Sequence, residues 1–223
     1  FSNELIDAFP VHRVKRVSGG LKEIFVDYVD GELVETLGPL SQPLLAEYFS
    51  FLEFQLQEGQ EAEINLQALD WLRNVSRHLV KGFIITIDYG YEVWELAHPQ
   101  RFEGTIMCYR QHRADSEPLK EAGLKDITSH VNFTALMKYG EKYNLKTTGF
   151  TNQMKFLVGL GIGKPLEDPN LSAWQKQKIA LALKELLMPG RMGERFRVLI
   201  QHKGINQVPD LWGLQGFNVQ YPK

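Results

Sequence analysis

Between His12 and Leu37, β-prone residues run in short stretches broken by Gly19-Gly20 and Asp30-Gly31. Both dipeptides suit the positive φ angles of two-residue hairpin turns, so the pattern predicts a three-stranded meander. Two amphipathic helices follow, the first from about Ser41 to Gln57. The second starts at Asn65, an N-cap residue, and places Leu66, Leu69, Leu72, Val75 and Leu79 about one helical turn apart. Lys81-Gly82 ends it. Phe83 to Ile87, with Thr86 its one polar member, then carries apolar residues on both faces, as a strand buried on both faces must. Its polar residues, Asp88-Tyr89-Gly90, come at the C-terminal end, the end that faces the ligand crevice in open α/β sheets.

The stretch from Tyr91 to Leu124 reads as irregular, with a strand at Thr105 to Tyr109. A helix beginning near Asn132 puts Phe133, Leu136, Met137, Gly140 and Tyr143 on one face. Leu145 to Phe150 reads as a strand, with a helix from about Thr151. Asp168-Pro169 reads as N-cap and first residue of a further helix, which Pro189-Gly190 stops. Arg195 to His202 alternates and reads as a late strand. Strands alternating with helices imply an α/β fold with a mostly parallel, doubly wound sheet.

Composition narrows the function classes. The 223 residues are 43 % hydrophobic and 23 % charged, with a formal net charge of −2. No basic excess points to nucleic acid or to an anionic membrane. The apolar run at Phe83 to Ile87 is far too short to cross a bilayer. Cys108 is the single cysteine, so no internal disulfide is possible, which fits a reducing compartment. Phe1 is not a start methionine, and Phe1-Ser2 reads as the tail of a strand already under way. The expectation is a fragment of a longer chain.

Several constellations could carry chemistry. Asn3, Glu4 and Asp7 follow a strand end and could bind a cation or orient an amine; they could equally cap a helix. Asp88 sits where a buried strand meets the ligand edge, or caps the next segment. Asp126, Thr128 and His130 read either as site residues or as turn, cap and half-buried histidine. His112, His130 and Asp126 offer metal-ligand types, but no pair has zinc-like helical spacing, so no metal site is expected. Gly159 to Lys164 looks like a phosphate loop but lacks a preceding strand and a glycine at Val158, so it reads as a helix C-terminal turn. Cys108 reads as packing. Arg110 and Arg113 read as a solvated face.

The opening residues 3–10 resemble the Asn-Glu-x-x-Asp-Ala-x-Pro motif of the MidA family of S-adenosylmethionine-dependent methyltransferases, whose mitochondrial members methylate arginine on a respiratory complex I subunit. Residues 82–91 (GFIITIDYGY) are similar to the family's Asp-Tyr-Gly strand. Gly104-Thr105 and Tyr109 to His112 resemble its Gly-Thr and Tyr-x-x-His pieces. Residues 126–133 (DITSHVNF) resemble its Asp-Ile-Thr-x-His-Val-x-Phe motif. Gln153, Phe156 and Leu157, then Met192-Gly193 with Phe196, match its later motifs.

The resemblance implies a Rossmann-like class I methyltransferase sheet. Phe1-Ser2 would close its strand four, Phe83 to Ile87 would be strand five, Leu145 to Phe150 strand six and Arg195 to His202 an antiparallel strand seven. Strands one to three, with the glycine-rich loop that holds S-adenosylmethionine, would be absent from this chain. Residues 1–203 would be the C-terminal part of the methyltransferase domain, with a β-meander insertion at 11–38, and 204–223 a tail. By the same resemblance, Glu4, Asp7 and Asp88 are catalytic, Asn3 and Glu4 meet the cofactor, and Tyr89, His112, Asp126, Thr128 and His130 lie on the substrate side. The partner would be an arginine-bearing protein, and an exposed edge on strand four would favour self-association. The location would be the bacterial cytoplasm or, in a eukaryote, the mitochondrial matrix. Competing readings are a non-catalytic assembly or binding module of the same fold and a nucleotide-dependent oxidoreductase.

Overall fold

The computed structural model describes residues 1–111, 113–187 and 192–206. Its elements run β1 (Ser2–Asn3), β2 (His12–Val17), β3 (Gly20–Val29), β4 (Glu32–Gly38), α1 (Pro43–Phe51), β5 (Glu61–Ile64), α2 (Leu66–His78) and β6 (Gly82–Tyr91). After α3 (Val93–Leu96) come β7 (Met107–Arg110), β8 (Arg113–Asp115), β9 (Asp126–Thr128), β10 (Val131–Asn132) and α4 (Phe133–Lys142). The chain closes with β11 (Lys146–Asn152), α5 (Gln153–Gly159), α6 (Ala173–Leu187), α7 (Met192–Arg195) and β12 (Phe196–Lys203). The fold is mixed α/β. Among the described residues, no helix is long and apolar enough to cross a membrane.

Two compact units divide the chain. The first comprises residues 1–4, 76–89 and 140 onward; the second comprises residues 5–75 and 90–139. The first is built on a sheet of order β1-β6-β12-β11. β1 runs parallel to β6, whereas β12 is antiparallel to both β6 and β11. Of these four strands β1, β6 and β11 run in one direction and β12 alone is reversed, in keeping with the expected mostly parallel sheet and its antiparallel late strand. Phe156, Val198 and Ile200 form a core cluster with Ile85, Ile87 and Leu157 packed against it. Ile84, Thr86 and Asp88 point to the other face and are buried there. β6 is thus covered on both faces, as its largely apolar run, broken only by Thr86, requires.

The second unit carries the meander, extended by β5, which no pattern in the sequence marks as a strand. The sheet order is β4-β3-β2-β5, all antiparallel. The hairpin at Asp30-Gly31 has both φ angles positive, 52° and 91°, as a type I′ turn needs. The first hairpin turns one residue earlier than expected, at Ser18 (53°) and Gly19 (77°). A separate small sheet, β8-β7-β9, contains the strand expected at Thr105 to Tyr109 as β7, adds β8 within the stretch expected to be irregular, and is completed by β9 beyond it. β10 pairs in parallel with the last two residues of β6, Gly90 and Tyr91.

Capping explains where the helices start. Asn65 Oδ1 accepts the Ala68 N–H (2.8 Å) and Asn132 Oδ1 accepts the Ala135 N–H (3.1 Å). At the helix expected from about Thr151 the cap is Asn152, which accepts from Lys155 N, and α5 starts at Gln153. Asp168 does not cap α6. Its carboxylate takes the Asn170 N–H two residues on, an Asx turn, and α6 begins only at Ala173. Ser172 and Gln175 form a capping box there, each side chain taking the other's backbone N–H. The stop expected at Pro189-Gly190 lies outside the described residues. α1 is also shorter than its amphipathic pattern, ending at Phe51.

Asn65 also ties down the loop that precedes β2, because its Nδ2 donates to the Ile6 carbonyl at 3.0 Å. Asn65→Ala should cost about 1 to 2 kcal/mol, the upper range for a lost cap, because the loop contact goes with it. Urea unfolding should show a lower midpoint at an unchanged slope.

Candidate functional site

The C-terminal end of β1 delivers two exposed polar residues, Asn3 and Glu4. Ser2 lies beside Thr86 and Asn3 beside Ile87 in the parallel ladder. The ladder ends when the Glu4 N–H donates to the Ile87 carbonyl at 3.0 Å. Glu4 then takes φ 46°, the left-handed region that costs a β-carbon-bearing residue on the order of 1 kcal/mol. The bend turns its carboxylate out of the strand, with Asn3 Nδ2 at 3.5 Å from Oε1. A strained, exposed carboxylate beside an amide, at a parallel strand's C-terminal edge, is suited to holding a cationic group by paired hydrogen bonds.

Asp88 is different in kind. It is fully buried, and its Oδ1 accepts the Tyr89 N–H at 2.9 Å. In register it stands directly opposite Arg197 of β12, an opposite-charge pair across the ladder. Tyr89 packs its ring 4.0 Å, centre to centre, from Phe196. Asp88 is thus held inside the strand next to Glu4, withdrawn from solvent, whereas Tyr89 is half-buried. Arg197 was not singled out in the sequence, because it falls between the apolar positions Phe196 and Val198 that define the strand.

The remaining expected residues sit in the second unit. Asp7 is buried, and its backbone carbonyl accepts the Ser129 N–H at 3.0 Å, which joins the N-terminal loop to the segment from Asp126 to His130. Asp126 is exposed and Thr128 half-buried; both lie in β9, opposite Tyr109 and Met107. The His130 ring meets the Tyr91 ring edge-on at 5.4 Å, and the Arg101 guanidinium stands 4.4 Å from the centre of that same ring. His112 lies outside the described residues. Among the described residues no group of three metal-ligand types comes together.

A polar relay that the sequence did not reveal supports this segment. The Glu63 carboxylate accepts the Thr105 N–H (2.9 and 3.1 Å) and the Thr105 hydroxyl (2.8 Å). The Thr105 hydroxyl oxygen accepts the His130 N–H at 3.0 Å. Burial pushes the Glu63 carboxyl above the ordinary glutamate range, although the Thr105 bonds and the nearby Arg13 charge favour the anion. Gly104, at φ 86°, passes so close that a β-carbon there would run into the Glu63 carboxylate. Only the Gly104-Thr105 pair was visible in the sequence. Its partner lies 42 residues upstream in a short polar strand with no periodic signal.

Two bland readings hold. Cys108 has no exposed surface and burial raises its thiol, so it packs. Residues 159–164 form a helix C-terminal turn: Gly161 takes φ 75°, with Gly161 N bonded to Val158 O and Ile162 N to Leu157 O. Arg110 pairs with Glu121, and Arg113 is exposed.

Residues 1–151 match the model of a family described as "Putative S-adenosyl-L-methionine-dependent methyltransferase". The chain belongs to this family. The chain is similar to the mitochondrial protein arginine methyltransferase NDUFAF7 homolog of Drosophila melanogaster, 27 % identical over 220 residues, covering 92 % of this chain and 47 % of that protein. The human protein arginine methyltransferase NDUFAF7 is 24 % identical over 209 residues, covering 91 % and 45 %. The chain therefore spans about half the length of the curated relatives it matches. Among solved structures, a superfamily protein from Burkholderia thailandensis aligns with a TM-score of 0.84 at 33 % identity, over 94 % of this chain and 56 % of its own. A second Burkholderia thailandensis structure, bound to S-adenosyl-homocysteine, aligns with a TM-score of 0.82 at 33 % identity, covering 94 % and 54 %.

Proposed function

We propose that the complete protein is an S-adenosylmethionine-dependent methyltransferase that modifies arginine of a partner protein, and that this chain contributes the substrate-facing edge of its site. The S-adenosyl-homocysteine-bound relative, alike over 94 % of this chain, is the observation that carries the reading. The sheet order β1-β6-β12-β11, with β12 antiparallel, supports strands four, five, seven and six of a Rossmann-like methyltransferase sheet. On that reading residues 1–203 are part of one methyltransferase domain with the meander inserted at 11–38. Strands one to three and their glycine-rich loop belong to the portion of the relatives that this chain does not span. Relatives named as mitochondrial support the mitochondrial matrix for a eukaryotic protein, and a bacterial one would act in the cytoplasm.

The β1 end fits one edge of the cofactor, because Asn3 and Glu4 are exposed and free to pair with hydroxyl and ammonium groups. When bound, the cofactor supplies a methyl group on a sulfonium for in-line displacement. The chain's own residues then have to place the nucleophile, since such a transfer depends chiefly on positioning. A guanidinium stays protonated and its nitrogens are poor nucleophiles. Glu4 and Asp7 would hold it, fixing the fork and favouring charge on the nitrogens that do not react. Asn3 would sit at the junction of cofactor and substrate. Asp88 would act as a positioning residue through Tyr89 and the strand end. Tyr89, Asp126, Thr128 and His130, with His112, would line the substrate side.

Titration calorimetry separates the contributions. The complete protein should bind S-adenosylmethionine, and the 223-residue chain alone should bind at least tenfold more weakly. Equal affinities would place the cofactor pocket within this chain and overturn the assignment of strands one to three.

A further inference from the structure

The second unit has an uneven charge distribution that the net charge conceals. From Glu23 to Leu72 the chain carries eleven carboxylates and no lysine, arginine or histidine. Several of these have bases from outside the stretch: Glu23 has His12, Glu61 has Arg13 and Lys15, and Glu53 has Lys138. Asp27, Asp30 and Glu32 have no ion pair among the described residues, and all three are exposed. They cluster at the tip of the β3–β4 hairpin, where Asp27 stands opposite Val34, Glu32 opposite Val29, and Asp30 opens the turn.

The same tip exposes apolar surface. Val26, Tyr28 and Leu37 are 55 %, 68 % and 54 % exposed and share one face of the hairpin with Leu33. Tyr28 and Leu33 of that face, with Gly31, Glu32 and Glu35, form one wall of a groove of about 690 Å³; residues 116–120 and Ala122 form the other, where Lys120 is paired with Glu117. β4 is the outer strand of its sheet, so among the described residues no other strand pairs with its outward N–H and C=O groups. An apolar face, an open strand edge and unneutralised carboxylates together describe a seat for an extended, basic segment.

We propose that the β3–β4 hairpin tip docks an extended arginine-bearing segment of the protein that accepts the methyl group. The inference rests on the function proposed above and names how that acceptor is held. The segment adds a strand to β4, sets apolar side chains against Tyr28 and Leu33, and meets Asp27, Asp30 and Glu32 with its cationic ones. A second copy of this chain is disfavoured, because pairing β4 with β4 would bring two acidic tips together.

Binding is read without methyl transfer, so that this inference and the proposed function fail separately. A fluorescein-labelled decapeptide alternating arginine with leucine is titrated with the complete protein, alongside a decapeptide alternating glutamate with leucine. The arginine peptide should bind, with affinity that falls as salt rises, and should protect β4 amides from hydrogen exchange. Affinity should drop at least tenfold in the triple variant Asp27→Asn, Asp30→Asn, Glu32→Gln and, separately, in Tyr28→Ser. All four positions are exposed, so a melting curve matching the parent confirms that the variants fold. Equal binding by variants and parent, protection away from β4, or equal binding of the glutamate peptide would overturn the docking site. Sedimentation showing two copies joined through β4 would overturn it as well, in favour of a self-interface. A protein that binds the arginine peptide at the tip and transfers no methyl group would keep this site and lose the function.

Discussion

In the complete protein, Glu4→Gln should lower methyl transfer to an arginine-bearing partner about a hundredfold, because a charge-assisted bidentate contact at the reacting centre is lost. The substitution keeps the shape of the side chain and removes only the charge. Glu4 is exposed and makes no ion pair among the described residues, so no structural partner is stranded by the change. Its backbone anchor, the N–H bonded to Ile87, is untouched. Stability should therefore stay near that of the parent, and cofactor affinity should fall far less than transfer, because Glu4 meets only one edge of the cofactor and Gln keeps its shape. Glu4→Gly is a second probe. Glycine tolerates φ 46° without penalty, so the protein should stay folded while transfer is lost. Transfer at the parent rate by either variant would remove Glu4 from the mechanism. Loss of cofactor binding together with transfer would move Glu4 into the cofactor pocket. A parent protein that binds cofactor and methylates no arginine partner would favour an assembly module.

The elements with a strong period were legible in the sequence, and those fixed by distant partners were not. Leu66, Leu69 and Leu72 announce α2, and the structure buries all three. Phe133, Leu136 and Met137 do the same for α4. β5 is four residues of mixed polarity and forms because β2 offers it a ladder, which no local pattern records. α6 shows how one cap can mask another. Asp168-Pro169 looks like a helix start, yet Asp168 satisfies Asn170 instead, and Ser172 with Gln175 holds the helix end. The site divides the same way. Asn3, Glu4 and Asp88 were marked by their position at strand ends. Glu63 and Arg197 act through residues far along the chain, and only the fold identifies them as neighbours of Thr105 and Asp88.

The charged residues show a similar limit. A net charge of −2 excludes a basic surface on average, and the average hides an acidic hairpin tip. What exposes that tip is the pairing of its neighbours. Bases outside the stretch pair with Glu23, Glu53 and Glu61, whereas Asp27, Asp30 and Glu32 fall together around one turn.

Gly90→Ala should destabilise the protein by about 3 kcal/mol, the upper end for overpacking a closed site. Gly90 closes the Asp88-Tyr89-Gly90 run, and β10 pairs in parallel across it, with Val131 as its partner. A β-carbon on Gly90 would collide with the Val131 carbonyl oxygen and sit 2.8 Å from the Val131 nitrogen. Both atoms are backbone, so no side chain can rotate away; the β10 ladder must shift or open. The φ angle of 157° adds a conformational cost for alanine. For a chain of this size the melting temperature should fall by roughly 6 to 12 °C. Gly123→Ala is the matched control. It also has positive φ, 83°, but nothing lies within 4 Å of its β-carbon. Strain alone should then cost on the order of 1 kcal/mol. If the two substitutions lower the melting temperature equally, close approach of β10 is not what requires glycine at position 90. If Gly90→Ala costs the larger amount and also slows transfer while Gly123→Ala does not, the end of β6 is held in place by β10. The Tyr91–His130 contact would then depend on that ladder for its geometry.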